Sequence, residues 1–74
     1  MRVFGYEITP EQESACLRRM RTRFKAGDIM HSAIEAGVPN GGNEPVAYRY
    51  ADRLIQRERK AGKLRRSGLY WMPE

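Results

Sequence analysis

The chain has one cysteine and one histidine among its 74 residues, and both scarcities exclude classes of protein. With Cys16 alone, no disulfide can form within the chain, and Cys16 with His31 cannot complete an ordinary Cys/His zinc site. No nucleophile with a neighbouring base and no pair of carboxylates occurs at a spacing suited to catalysis. We therefore expect no enzymatic activity, no metal or other cofactor, and no small-molecule substrate.

Long hydrophobic runs are also missing. The first residues, MRVFGYEITP, contain no apolar run that resembles the core of a secretory signal, and no later stretch approaches the length of a membrane span. We expect a cytoplasmic protein that does not associate with membranes.

Positive charge is what the chain has in excess. Fourteen Lys and Arg residues stand against nine Asp and Glu, for a net charge of +5 and an isoelectric point near 9.9. Such a balance favours anionic partners, including nucleic acids. A chain of this length forms one small domain and buries only about 60% of its unfolded surface.

The first helix is predicted over residues 10–24. Thr9, Pro10 and Gln12 form a helix start, with an N-cap, a proline at the first helical position and a capping-box partner. Apolar residues then follow at helical spacing as far as Phe24. The basic residues within the range 18–25 lie at the carboxyl end of this helix, where the helix dipole favours cations.

A second helix of about two turns is predicted between Gly27 and Gly37. Gly27 interrupts the first helix, Asp28 is the expected N-cap, and Gly37 is the expected C-terminal glycine. The segment VPNGGNEP then has the composition of a loop, and Asn43 is the expected cap of the next helix.

The third helix is predicted over residues 44–60. Its inward face repeats every 3.6 residues, and its outer face is polar and mostly cationic. Glu58 falls within the apolar side, so it requires a partner such as an arginine of the first helix. The inward residues are Ala47, Tyr50, Ala51, Leu54 and Ile55.

The last segment, KLRRSGLYWM, predicts a β-hairpin over residues 63–72. With Ser67 and Gly68 as the two-residue turn, Leu64 would face Trp71 on the inner side. Arg65 and Tyr70 would then share the outer side. Trp71 is expected to be a packing anchor of the core.

Three helices followed by a small hairpin resemble the winged helix-turn-helix family. The resemblance is carried by GDIMHSAIEAG, by VAYRYADRLIQRERKAGKL and by RRSGLYW, and it covers nearly the whole chain. It implies a mainly α fold with a small β-hairpin, in which residues 1–74 form a single winged-helix domain. A short strand or extended lead-in over residues 3–8 would precede the helices.

That resemblance implies a small double-stranded DNA-binding protein, such as a transcriptional regulator or accessory factor. The third helix would enter the major groove, and the hairpin wing would lie on the backbone or in the minor groove. Arginine and glutamine side chains suit guanine and adenine, and wing cations suit phosphate. The implied DNA-binding residues are Tyr48, Arg49, Asp52, Arg53, Gln56, Arg57, Lys60, Lys63, Arg65, Arg66 and Ser67.

Several alternatives stay open at this point. The polar face of the third helix is also typical of an ordinary solvated surface, and Arg65 and Arg66 are also typical of an edge strand protected by charge. Asp52 could contact cytosine, orient an arginine, or oppose DNA. The same fold could serve as a protein-interaction adaptor that does not bind DNA. On DNA, a module this small would need a homodimer or a protein partner for specific affinity.

Overall fold

The computed structural model describes all 74 residues and contains three helices and two short hairpins. The mainly α architecture with a hairpin at the carboxyl end is thereby confirmed, and the expected lead-in is itself a hairpin. In chain order the elements are β1 (Arg2–Val3), β2 (Tyr6–Glu7), α1 (Pro10–Arg19), α2 (Ala26–Glu35), α3 (Val46–Lys60), β3 (Leu64–Ser67) and β4 (Tyr70–Pro73).

Helix α1 begins as predicted but ends earlier. The N–H of Gln12 donates to Thr9 Oγ1 at 3.1 Å, and the N–H of Thr9 donates to Gln12 Oε1 at 2.9 Å, which completes the capping box. The predicted continuation to Phe24 is wrong. The N–H and C=O of Phe24 instead pair with the backbone of Trp71, at 3.0 and 2.8 Å. Phe24 is therefore fully buried, and it lies in an extended segment and not in a helix.

Helix α2 is ten residues long and includes Gly27 in its first turn, so the predicted break and the two-turn length are both wrong. Asp28 is not the N-cap. It lies three residues inside, where its Oδ2 accepts the N–H of Lys25 at 2.8 Å. The predicted end is confirmed, because Gly37 follows the helix with a φ of +98°.

The start of α3 is held by the preceding loop. The helix begins at Val46, two residues later than predicted, and Asn43 does not cap it. Instead, the N–H of Tyr48 donates to Asn40 Oδ1 at 3.2 Å, and the N–H of Ala47 donates to the carbonyl of Pro39 at 2.9 Å. Capping from further back along the chain ties the α2–α3 loop to the first turn of α3.

One hydrophobic core joins all three helices to both hairpins. Its largest fully buried side chains include Tyr50, Phe24, Ile29 and Leu54, and the five residues predicted to face inward from α3 are all buried. Val3 of β1 and Leu64 of β3 are the buried residues that these two strands contribute to the core. None of the helices combines the length and apolar character needed to cross a bilayer.

The carboxyl-terminal hairpin has a different register from the one predicted. Its two-residue turn is Gly68 and Leu69, so Leu64 lies opposite Pro73 and Trp71 lies opposite Arg66. The predicted pairing of Leu64 with Trp71 is wrong. Gly68 has a φ of +62°, and a type II′ turn requires such a residue at the first of its two central positions.

The observed register differs from the predicted one by two residues, because Leu64 lies opposite Pro73 and not opposite Trp71. A shift of two residues leaves every side chain on its predicted face of the hairpin. Arg65 and Tyr70 still share the outer side, and Leu64 and Trp71 share the inner one. Leu64 is buried, whereas Trp71 is half-buried and packs against the edge of the core.

Candidate nucleic-acid interface

The outer face of α3 is polar and exposed over the length of the helix. Tyr48 is 62% exposed near its start, and Arg49, Asp52 and Lys60 are exposed along its length. Arg49, Asp52 and Lys60 take part in no ion pair within the protein. Their charges are therefore available to a partner.

Two other α3 side chains of the predicted set are already engaged. Arg53 Nη1 donates to the backbone carbonyl of Arg2 at 3.3 Å, which joins α3 to the β1–β2 hairpin. Gln56 is half-buried, and its Oε1 accepts from Arg59 Nε at 3.0 Å. Arg53 meets no carboxylate and keeps its full charge, whereas Gln56 retains only its amide N–H groups as free donors.

Arg57 differs from the other α3 cations because two carboxylates hold it. Its Nη1 lies 3.3 Å from Glu13 Oε1 of α1, and its Nε lies 3.1 Å from Glu58 Oε2. Burial alone would lower the pKa of Arg57, but hydrogen bonds and charges from Glu13 and Glu58 outweigh burial and raise that pKa above its usual range. We name Glu13, Arg57 and Glu58 the carboxylate clamp.

The carboxylate clamp explains how the Glu58 carboxylate is accommodated among apolar residues. Its partner is an arginine on α3 itself, so the predicted partner on α1 is wrong; α1 contributes a second carboxylate instead. Because Glu58 is only 8% exposed, its carboxylate depends on this contact. The geometry assigns Arg57 to joining α1 with α3.

The β3–β4 hairpin presents its cations in two ways. Lys63 and Arg65 are exposed and meet no carboxylate. Arg66 is exposed but oriented, because its Nε donates to the carbonyl of Gly68 at 3.0 Å and its guanidinium lies 5.1 Å from the Trp71 ring centre. Ser67 is half-buried beside the turn.

Sequence reasoning missed two further cations next to this hairpin. Arg23 and Lys25 flank the buried Phe24, and their charged groups lie 4.3 and 5.0 Å from the centre of the Tyr70 ring. They were attributed to the end of α1, where the dipole explained them. The alternation Arg23, Phe24, Lys25 is the signal that could have found them, because it is the period of a strand and not of a helix.

Two ionisable side chains, those of Cys16 and Tyr50, are buried in the core. Burial, with a smaller contribution from Glu13, raises the pKa of the Cys16 thiol to about 11, so the thiol stays protonated at neutral pH. Burial likewise raises the pKa of Tyr50, whose hydroxyl has no hydrogen-bond partner within the protein. No three His, Cys, Asp or Glu side chains converge as metal ligands would.

Arg49, Arg53 and Lys60 on α3 and the cations of the hairpin thus form two exposed basic surfaces. They are adjacent in the chain, since only residues 61–63 separate α3 from β3. Comparison of the chain with protein-family models, with curated proteins and with solved structures gave no match.

Proposed function

We propose that this protein is a double-stranded DNA-binding module of the winged helix-turn-helix type, acting as a small transcriptional regulator or accessory factor. Helix α3 would enter the major groove, and the β3–β4 hairpin would act as the wing on the backbone or in the minor groove. The observation that carries the proposal is a folded basic hairpin, attached to the core through Leu64 and Trp71, placed directly after an exposed basic helix face.

The β3–β4 hairpin is folded against the core and is not a free basic arm, which supports its proposed role as a wing. The backbone of Trp71 in β4 exchanges two hydrogen bonds with Phe24, and Leu64 of β3 is buried in the core. The wing is therefore fixed both to the end of α3 and to the segment between α1 and α2. Fixed cations lose less conformational entropy on binding phosphate than mobile ones do, which supports a role for Arg65 and Arg66.

The dimensions and chemistry of α3 also support the proposal. Its 15 residues span about 22 Å, and the major groove of B-DNA is wide enough to admit a helix. Arg49 and Arg53 are the best placed to contact bases, because no carboxylate neutralises them. Arg57 is the weakest member of the predicted set, since the carboxylate clamp occupies it.

Site size adds a requirement for a second subunit or a partner. A single module of this kind buries roughly 600 to 1,000 Å² on DNA, which is a short site. Specific recognition in a genome would follow from a homodimer on palindromic half-sites or from a protein partner on adjacent DNA.

Salt dependence of duplex binding tests the proposal. With about four to six phosphate contacts from the wing and its neighbours, the logarithm of affinity should fall against the logarithm of salt with a slope of roughly −4 to −5. A flat salt response, or no duplex binding at low salt, would refute DNA binding and favour a protein-interaction adaptor.

Two pairs of substitutions test the proposed roles of α3 and of the hairpin separately. Arg49→Ala with Arg53→Ala should reduce discrimination between duplex sequences in competition gel shifts, whereas Arg65→Ala with Arg66→Ala should weaken binding evenly across sequences. Arg18→Ala is the matched control, because Arg18 is exposed on α1 and forms no ion pair. Equal losses on every duplex from both pairs would remove the assignment of α3 as the reading element.

A further inference from the structure

The β1–β2 hairpin places an aromatic residue where the backbone disfavours it. Phe4 and Gly5 form its two-residue turn, with φ values of +50° and +80°. Positive φ at both central positions is the type I′ pattern, which Asn-Gly and Gly-Gly adopt readily. For Phe4 the left-handed conformation brings its Cβ too close to the following carbonyl oxygen, so the turn holds a strained residue.

Core packing does not explain why Phe4 occupies this turn. The side chain is 48% exposed and lies outside the hydrophobic core, although its neighbours Val3 and Tyr6 pack in or against it. An exposed aromatic in a strained backbone position points to a role outside folding.

Phe4 borders the proposed DNA-binding face, and it also lines a larger depression with residues of the α2–α3 loop that include Glu44. Phe4, Val3, Arg49 and Arg53 line a shallow depression of about 270 Å³ between the hairpin and the outer side of α3. The hydrogen bond from Arg53 to the carbonyl of Arg2 fixes the hairpin against the helix. The nearby carboxylate of Glu7 is matched by the amino terminus at 3.2 Å and by Arg2 at 3.6 Å.

An apolar ring beside two guanidinium groups that form no ion pair matches the chemistry of a nucleotide. The deoxyribose and base present apolar surfaces, and the phosphate next to them is an anion that arginine binds well. A second copy of this chain is a poorer fit, because two such faces would bring four unpaired guanidinium groups together.

We propose that Phe4 is a third DNA contact, packing against the deoxyribose of the strand that borders the groove occupied by α3. This inference rests on the proposed DNA-binding function and extends it to the amino-terminal hairpin. The protein would then contact DNA through three elements: α3, the wing and the β1–β2 hairpin.

Phe4→Asn separates binding from folding, because Asn tolerates the left-handed conformation and creates the Asn-Gly turn. Its melting temperature should equal or exceed that of the wild type, while duplex affinity should fall at least about fivefold, as for loss of an aromatic contact to a nucleotide. Phe4→Tyr keeps the ring and should retain affinity. Ile34→Gln is the control, since Ile34 is a similarly exposed apolar residue on α2.

The outcomes distinguish this inference from the function on which it rests. Wild-type affinity in Phe4→Asn, with wild-type protein that binds duplex, overturns the Phe4 contact alone. Absence of duplex binding by the wild type overturns both. A lowered melting temperature in Phe4→Asn would assign the residue to folding, and a change of sedimentation mass would assign it to self-association; either result overturns the contact.

Discussion

Arg57→Ala is expected to damage the fold without removing a DNA contact. The substitution leaves the Glu58 carboxylate, with 11% side-chain exposure, next to Glu13 and without a cation. Removing one partner of a fully buried ion pair costs about 3 to 5 kcal/mol. Because the Arg57 side chain is 44% exposed, water replaces part of the lost interaction, and we expect a cost of about 1 to 3 kcal/mol.

That cost is large for a protein of this size. Small domains have unfolding free energies of about 0.05 to 0.15 kcal/mol per residue, so a loss of about 2 kcal/mol is a substantial fraction of the total. It corresponds to a fall in melting temperature of about 8 to 16 °C. Thermal and urea unfolding followed by circular dichroism would measure it.

A double substitution tests the cause. If the cost comes from the unpaired carboxylate, Arg57→Ala with Glu58→Gln should be more stable than Arg57→Ala alone, although one more native side chain has been changed. Arg49→Ala is the control on the same helix, and it should change stability by no more than about 0.5 kcal/mol. A wild-type melting temperature for Arg57→Ala, together with lost duplex binding, would refute this reasoning and return Arg57 to the DNA interface.

Two further predictions concern the interior. Trp71→Ala should lower the free energy of unfolding by about 2 kcal/mol. This cost is smaller than for a fully buried tryptophan because the ring is half-buried. The control is Leu69→Ala at the exposed turn, which should have the melting temperature of the wild type. Unchanged melting with lost binding in Trp71→Ala would instead place the ring on DNA. Because burial raises the pKa of Cys16 from 9.0 to about 11, the unfolded thiol ionises first, so stability should fall as pH rises through that window. Urea unfolding at several pH values should show a smaller fall in Cys16→Ala, in which only Tyr50 still contributes; identical pH profiles would contradict the assignment.

Local chemistry was sufficient to predict much of the helical framework. The capping box at Thr9 and the glycine at Gly37 mark helix ends through backbone conformations that only certain residues favour, and both were found in place. The inward face of α3 followed from periodicity, because burial repeats with the turns of the helix.

Long-range pairing accounts for the errors. The predicted continuation of α1 to Phe24 is wrong because Phe24 pairs with the backbone of Trp71, which is 47 residues away along the chain. Likewise, helical spacing placed Arg57 on an outer face but could not reveal Glu13 across the interface with α1. The hairpin register was a local error, since preference for glycine at the first turn position would have moved the turn to Gly68 and Leu69.

The candidate site divides in the same way. Its exposed members on α3 and β3 could be named from the sequence because each belongs to one regular element. Arg23 and Lys25 were missed because helical periodicity was extended through Phe24, and their approach to Tyr70 depends on the strand-like pairing of Phe24 that the alternation of these residues indicates. Whether these residues bind DNA stays a prediction.

Because β4 is anchored at Phe24, the length of the β3–β4 hairpin can vary without changing where the hairpin is attached. The two backbone hydrogen bonds that orient the hairpin lie at Trp71, two residues after the turn ends at Leu69. Residues inserted in pairs between Ser67 and Tyr70 would lengthen the strands while the anchored base and the core contact of Leu64 stayed the same. The reach of the hairpin is therefore a property that substitution or insertion could adjust without refolding the three helices.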